Sequence, residues 1–179
     1  MPGSARRLPT AWTLFCRQID LLRTIPGVDS KTAEIILSEI EPDMDHFPSA
    51  CHLDSWAGLC PGNNESAGKR KSGKTRKGNQ WLRRALMEAA WAASHTKDTY
   101  LSSQYRRLVS RRGKNKAIVA VAHSTLVIAF HVIKNDVFYR EIGADFLDKL
   151  NASMIQRHHV KRLEYLGFKV IIEPLSKAA

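Results

Sequence analysis

From Pro61 to Leu86 the chain reads PGNNESAGKRKSGKTRKGNQWLRRAL, and no acidic residue falls between Ser66 and Met87. Lys69, Arg70, Lys71, Lys74, Arg76, Lys77, Arg83 and Arg84 all lie inside that interval. Gly62, Gly68, Gly73 and Gly78 argue against regular structure in its first part, because glycine loses the most entropy on ordering and lets backbone approach a ligand closely. From Gln80 onward the composition turns helical. The stretch therefore reads as a basic, glycine-punctuated loop feeding a helix N-terminus, where free N–H groups and the helix dipole both favour phosphate. Asn79 sits at that helix start. Composition alone allows a second reading, a solvated linker with weak affinity for any polyanion.

The rest of the chain is consistent with a folded, polyanion-binding protein. Its 179 residues suffice for one core or a core plus an arm, and hydrophobic residues make up 44%. The formal net charge of +11 points first to nucleic acid and second to an anionic membrane surface. Met1 to Thr10 lacks the apolar segment of a signal peptide. Cys16, Cys51 and Cys60 are odd in number and lack C-x-x-C spacing, which argues against a disulfide framework and for a reducing, cytoplasmic setting.

Apolar spacing predicts helices almost throughout. Residues 1–9 read as a frayed start and 1–22 as an N-terminal arm and helix, with Phe15, Ile19 and Leu22 on one face. Thr24 to Asp29 stops that helix and starts another: Pro26 ends the first, Gly27 permits the turn and Ser30 is a candidate N-cap. With Lys31 to Ile40 this resembles a helix-hairpin-helix, whose Pro26, Gly27 and Val28 would grip DNA phosphates without reading sequence; an ordinary helical hairpin is the alternative. A short helix is predicted at 48–59 and another at 79–94, where Ala89, Ala90, Ala92 and Ala93 would permit close helix approach. Arg106, Arg107, Arg111 and Arg112 form a second positive cluster on a helix closed by Gly113. Lys116 to Ile133 is the most apolar run, interrupted by His123, Ser124, Thr125 and His131, and reads as a central buried helix rather than a membrane span. Residues 143–165 are helical and mixed, and 168–172 have the composition of one short strand. The predicted class is all-α or nearly so, with residues 23–95 as the hairpin and basic loop and 96–179 as the helical C-terminal part of the same domain.

Ser66, at the mouth of the basic loop, is the candidate nucleophile. A serine hydroxyl attacks a phosphodiester only when it is positioned, when the phosphate charge is neutralised and when its proton has somewhere to go. Lys69, Arg70 and Arg83 are sequence neighbours suited to the second task; no general base is evident. Ser72 is the alternative serine. His46, Cys51, His52 and Cys60 match no zinc-finger or ribbon spacing, so no metal is assigned. Asp43, Asp45 and Asp54 read as surface or capping acids, and no P-loop spacing occurs. Tyr100 and Tyr105 beside Arg106 and Arg107 resemble a tyrosine-recombinase arrangement only superficially.

The run Glu65-Ser66-Ala67-Gly68-Lys69 with Lys77-Gly78-Asn79-Gln80-Trp81-Leu82-Arg83-Arg84-Ala85-Leu86 resembles the C-terminal domain of the "IS one-ten" family of insertion-sequence transposases, the bridge-RNA-guided serine recombinases. The likeness begins near Leu22 and returns at Arg162-Leu163-Glu164 and Leu166-Gly167-Phe168-Lys169-Val170. It implies a bacterial or archaeal DNA transposase in which Ser66 links covalently to a DNA 5′-phosphate. It implies a guide RNA, a multimer, and an N-terminal RuvC-like domain whose carboxylates hold Mg2+. Nothing in this sequence supplies those carboxylates, so no cofactor is expected in this chain itself. A non-catalytic DNA- or RNA-binding module, a remnant of such an enzyme, is the competing expectation. Ala67 departs from the family, where many members carry glycine.

Overall fold

In a computed structural model of the protein, residues 11–62 and 64–173 are described, with the backbone alone for 11, 64 and 70–72. The frayed start expected at 1–9 lies outside them. Among the described residues the chain is helical apart from one two-stranded hairpin. The elements are α1 (Ala11–Leu22), α2 (Ser30–Ile40), α3 (Ala50–Ala57), β1 (Asn64–Ser66), β2 (Lys69–Ser72), α4 (Gln80–His95), α5 (Tyr100–Arg112), α6 (Lys114–Asn135), α7 (Phe146–Leu150) and α8 (Ala152–Tyr165), with a 3-10 turn at Met44–His46.

The chain divides into two compact units, one running through residue 144 and one from 145 onward. In the first, α6 is the axis, packed against α1, α3, α4 and α5. Its Ala117, Val121, Ala122, Leu126 and Ala129 are fully buried. By length and composition α6 would also cross a membrane, but 56% of its most apolar window is buried within the protein, as a core helix requires. Burial of this one stripe forces the long apolar run to be central, and α5 and α6 share one core with the elements before residue 95.

Helix α4 packs on α6. Its Ala89, Ala90 and Ala93 are buried, and the α1–α2 turn docks on Ala89 and Ala93. Gly27 takes φ +84, and a Cβ added there would lie 2.3 Å from the Ala89 carbonyl oxygen and 2.6 Å from the Ala93 nitrogen. The glycine answers both the turn and the contact. Val28, beside it, is buried.

The N-cap of α2 is Asp29, one residue before the serine expected from the sequence. Its carboxylate accepts the Thr32 N–H at 2.8 Å. Hydrogen bonding from Thr32, from its side chain first and its backbone N–H second, holds the Asp29 pKa below the usual carboxylate value. A depressed acid contributes stability that is present above its unfolded pKa and lost as pH falls through its folded one. Asp29→Ala should therefore cost about 1 kcal/mol at pH 7 in urea unfolding, and the difference from the parent should shrink below pH 4 or so.

In the second unit α7 and α8 bury no residue. Of the apolar residues of this stretch, Phe146, Leu150, Met154 and Leu163 are exposed and Leu147 is half-buried. The strand expected at 168–172 is absent: residues 168–173 have no regular structure.

Candidate functional site

Ser66 sits at the turn end of the hairpin. It pairs with Lys69, and the two residues between them, Ala67 (φ +52) and Gly68 (φ +71), both occupy left-handed backbone. This is the two-residue turn that matches the twist of paired strands, and it requires positive φ at both central positions. The basic stretch is thus not irregular throughout, as its glycines suggested. Of Gly62, Gly68 and Gly78, it is Gly68 that sits in the turn with open space where a Cβ would go. Ala67 occupies a conformation that costs a Cβ-bearing residue about 1 kcal/mol, which makes intelligible the glycine carried by many members of the resembling family.

Gly62 and Gly78 act at the base of the hairpin. A Cβ on Gly62 would lie 2.6 Å from the Lys74 carbonyl oxygen, and Gly62 N–H donates to that oxygen at 3.2 Å. Pro61 and Thr75 form an isolated bridge. Gly58 caps α3 with φ +70, and Gly78 packs on it so closely that a Cβ there would lie 2.3 Å from the Ala57 carbonyl carbon. Gly62 and Gly78 admit neighbouring backbone of the same chain. Both ends of the 59–77 excursion are thereby pinned together, and Ser66 projects from a fixed stem.

Arg83 strengthens that stem. Its Nη1 donates to the Gly58 carbonyl at 2.6 Å and its Nη2 to Thr75 Oγ1 at 3.1 Å, both part-buried. Its guanidinium ties α4 to the end of α3 and to the returning strand. Arg83→Leu should lose about 2 kcal/mol of stability and speed amide exchange at Gly62, and Arg83→Lys should recover little, because one ammonium cannot span both acceptors. Asn79 is similarly engaged. Its Oδ1 accepts the N–H groups of Trp81 and Leu82, each at 3.0 Å, and its Nδ2 donates to Glu39 of α2. It is the N-cap of α4.

The remaining cations are outward. Lys69, Lys74, Arg76 and Lys77 are exposed, and exposed Arg84 pairs with Glu88 at 3.2 Å. The side chains of Arg70, Lys71 and Ser72 fall outside the described ones. Ser66 is exposed, and among the described residues its hydroxyl makes no hydrogen bond. Pro26, Gly27 and Val28 are not drawn into this cluster; Gly27 is turned toward α4. Tyr105 packs against the core, as helical tyrosines usually do. Sequence reasoning missed Trp81, which is 70% exposed beside Arg84 on a groove of about 370 Å³ between α2 and α4. Helical spacing would have found it, since Trp81, Arg84 and Glu88 lie off the Leu82–Leu86 stripe.

A second cluster lies below the hairpin. Asp54, read from sequence as a surface or capping acid, is fully buried. Neither of its oxygens accepts a hydrogen bond from the described residues, although His123 Nε2 of α6 stands 3.2 Å from Oδ2. Burial pushes the Asp54 carboxyl up to about 7 and the His123 imidazole down, so burial favours the neutral form of both. Cys60 completes the group, its thiol raised first by burial and then by Asp54 and Cys51. Among the described residues this is the one set of three potential metal ligands, and it contains a single carboxylate. It does not fit Mg2+, which takes oxygen ligands, so no step of the chemistry is routed through that ion here.

Residues 19–106 match the family described as "Transposase IS116/IS110/IS902 family". The chain carries a domain of that family. The matched segment runs from α1 to α5 and includes the whole Ser66 hairpin. Among relatives, the chain is 29% identical over 121 residues to the "Insertion element IS110 uncharacterized 43.6 kDa protein" of Streptomyces coelicolor, covering 66% of this chain and 29% of the relative. It is 33% identical over 120 residues to the "Pilin gene-inverting protein" of Moraxella bovis, 65% and 37% of the two chains. It is 30% identical over 123 residues to the "Transposase for insertion sequence element IS1111A" of Coxiella burnetii, 66% and 34%. The chain thus spans 29% to 37% of the length of these relatives.

Proposed function

We propose that this chain is the serine-bearing domain of a DNA transposase or site-specific recombinase, with Ser66 as the nucleophile. The observation that carries the reading is the placement of an exposed serine at the tip of a pinned hairpin, followed by a stretch with no acidic residue before Met87 and with Lys69, Lys74, Arg76 and Lys77 facing outward. In the reaction, Ser66 Oγ forms a bond to phosphorus and the bond from phosphorus to the 3′-oxygen breaks. The serine proton is lost to solvent or an incoming base, and the 3′-oxygen is protonated as it leaves. The domain is then linked to the 5′-phosphate, conserving the bond energy for rejoining. Lys69, Lys74, Arg76 and Lys77, with Arg70 and Lys71 of the same stretch, neutralise the flanking phosphates. The relatives' names, transposase and gene-inverting protein, describe DNA rearrangement and support the class.

In this reading a RuvC-like domain supplies the metal-binding carboxylates, and a guide RNA selects the target. Exposed Arg106, Arg111 and Arg112 of α5 provide a second phosphate-contacting strip suited to a structured RNA. Trp81 offers a stacking face for an unpaired base. The proteins act as a multimer.

The test is covalent trapping. The chain is combined with guide RNA, the RuvC-like domain, magnesium and 3′-labelled target DNA, and a protease-sensitive adduct is sought. The adduct should vanish in Ser66→Ala and persist in Ser72→Ala. Salt-sensitive binding without any adduct, in a complex shown to assemble, would contradict catalysis and leave a nucleic-acid-binding module.

A further inference from the structure

Asp54, Cys60 and His123 come from three separate places: the inner face of α3, the segment after its Gly58 cap, and the middle of α6. Their donor atoms nonetheless lie within 4.8 Å of one another. We propose that they form a three-ligand site for a zinc-like divalent transition metal, which clamps the base of the Ser66 hairpin to the core helix. Carboxylate, thiolate and imidazole are all zinc ligands, and three protein ligands with a fourth position left to water is a familiar zinc arrangement. Bonds of about 2.0–2.3 Å to a tetrahedral ion set donor atoms roughly 3.3–3.8 Å apart, so side-chain rotation of about 1 Å closes the set.

Two independent features point to a cation rather than to ordinary packing. The first is Asp54 itself: fully buried, with neither oxygen accepting a hydrogen bond from the described residues, it has no stabilising partner except the nearby imidazole. A buried carboxylate without donors is strongly unfavourable, and a coordinated cation removes that cost. The second is charge and access. A dication with one carboxylate and one thiolate sums to zero, which the interior tolerates. His123 retains 37% side-chain exposure and so leaves a way in. Position gives the site its role, because Cys60 immediately precedes Pro61, the residue that bridges to Thr75 at the foot of the hairpin. The ion would join α3, the hairpin stem and α6 at one point. Exposed Cys51 lies on the same helix outside the set and serves as the control.

The experiment is a Co2+ titration of the chelator-treated chain. The expected result is one ion per chain, with the visible absorption of tetrahedral cobalt and a thiolate-to-cobalt charge-transfer band. Cys60→Ser should abolish that band, and each of Asp54→Asn and His123→Ala should weaken Co2+ binding at least tenfold, with far-ultraviolet circular dichroism unchanged. Cys51→Ser should match the parent in every respect. Bound metal should also slow amide exchange at Gly62. Absence of stoichiometric Co2+ binding, or an unchanged charge-transfer band in Cys60→Ser, would overturn the site; binding without slower exchange at Gly62 would overturn the clamp.

Discussion

Replacing Gly27 by alanine should destabilise the protein by about 2–5 kcal/mol. Two costs add. At φ +84 a Cβ-bearing residue is strained by roughly 1–2 kcal/mol, and a Cβ placed 2.3 Å from the Ala89 carbonyl oxygen forces α4 and the α1–α2 turn apart, an overpacking cost of about 1–3 kcal/mol. Gly113 isolates the backbone term: at φ +80 and ψ 163 it sits in a region essentially reserved for glycine, but nothing lies within 4 Å of an added Cβ, so Gly113→Ala should show backbone strain alone, about 1–3 kcal/mol. Urea unfolding of the two variants checks this directly. Equal, small losses would mean that the turn does not dock on Ala89 and Ala93. The result also bears on the helix-hairpin-helix expectation, since packing by itself accounts for a glycine at this position.

The second large effect is on chemistry rather than stability. Ser66→Ala should reduce DNA strand cleavage by at least about a thousandfold, the usual scale for removing a covalent nucleophile, while leaving the unfolding midpoint and DNA affinity within error of the parent. The structure explains why stability should be spared: Ser66 is exposed and its hydroxyl makes no hydrogen bond among the described residues. A loss of binding in step with cleavage would mean instead that the serine shapes the hairpin. Gel separation of labelled products, alongside equilibrium binding at fixed salt, distinguishes the two outcomes.

The contrast between Ser66 and Asp54 shows where the sequence was legible. Elements set by local periodicity were readable: the apolar run of α6 became the axis of the core, the alanines of α4 became its close-packed face, and Gly113 capped α5. Ser66 was singled out through a run of residues that resembles a family motif, and it lies inside the segment 19–106 that matches the family. What failed to show was everything set by residues far apart in the chain. Nothing near Asp54 in sequence reveals that α6 lays His123 against it, so a buried acid looked like a surface one. The glycines of the basic stretch signalled flexibility, while their actual roles depend on Gly58 meeting Gly78 and Gly62 meeting the Lys74 carbonyl. Arg83 looked like another phosphate contact because its acceptors, Gly58 and Thr75, come together only in the fold. The cap of α2 moved by one residue for a smaller reason, since Asp29 and Ser30 both suit the position and only the backbone decides.

The central claim is that one hydroxyl, Ser66, carries the covalent bond to DNA. The most direct measurement is mass-spectrometric mapping of the trapped adduct after digestion of both protein and DNA. The expected result is a nucleotide 5′-phosphate on the peptide containing Ser66, with fragmentation placing the added mass on that residue. A phosphate-linked nucleotide found on Ser72, or on Tyr100 or Tyr105 instead, would contradict it.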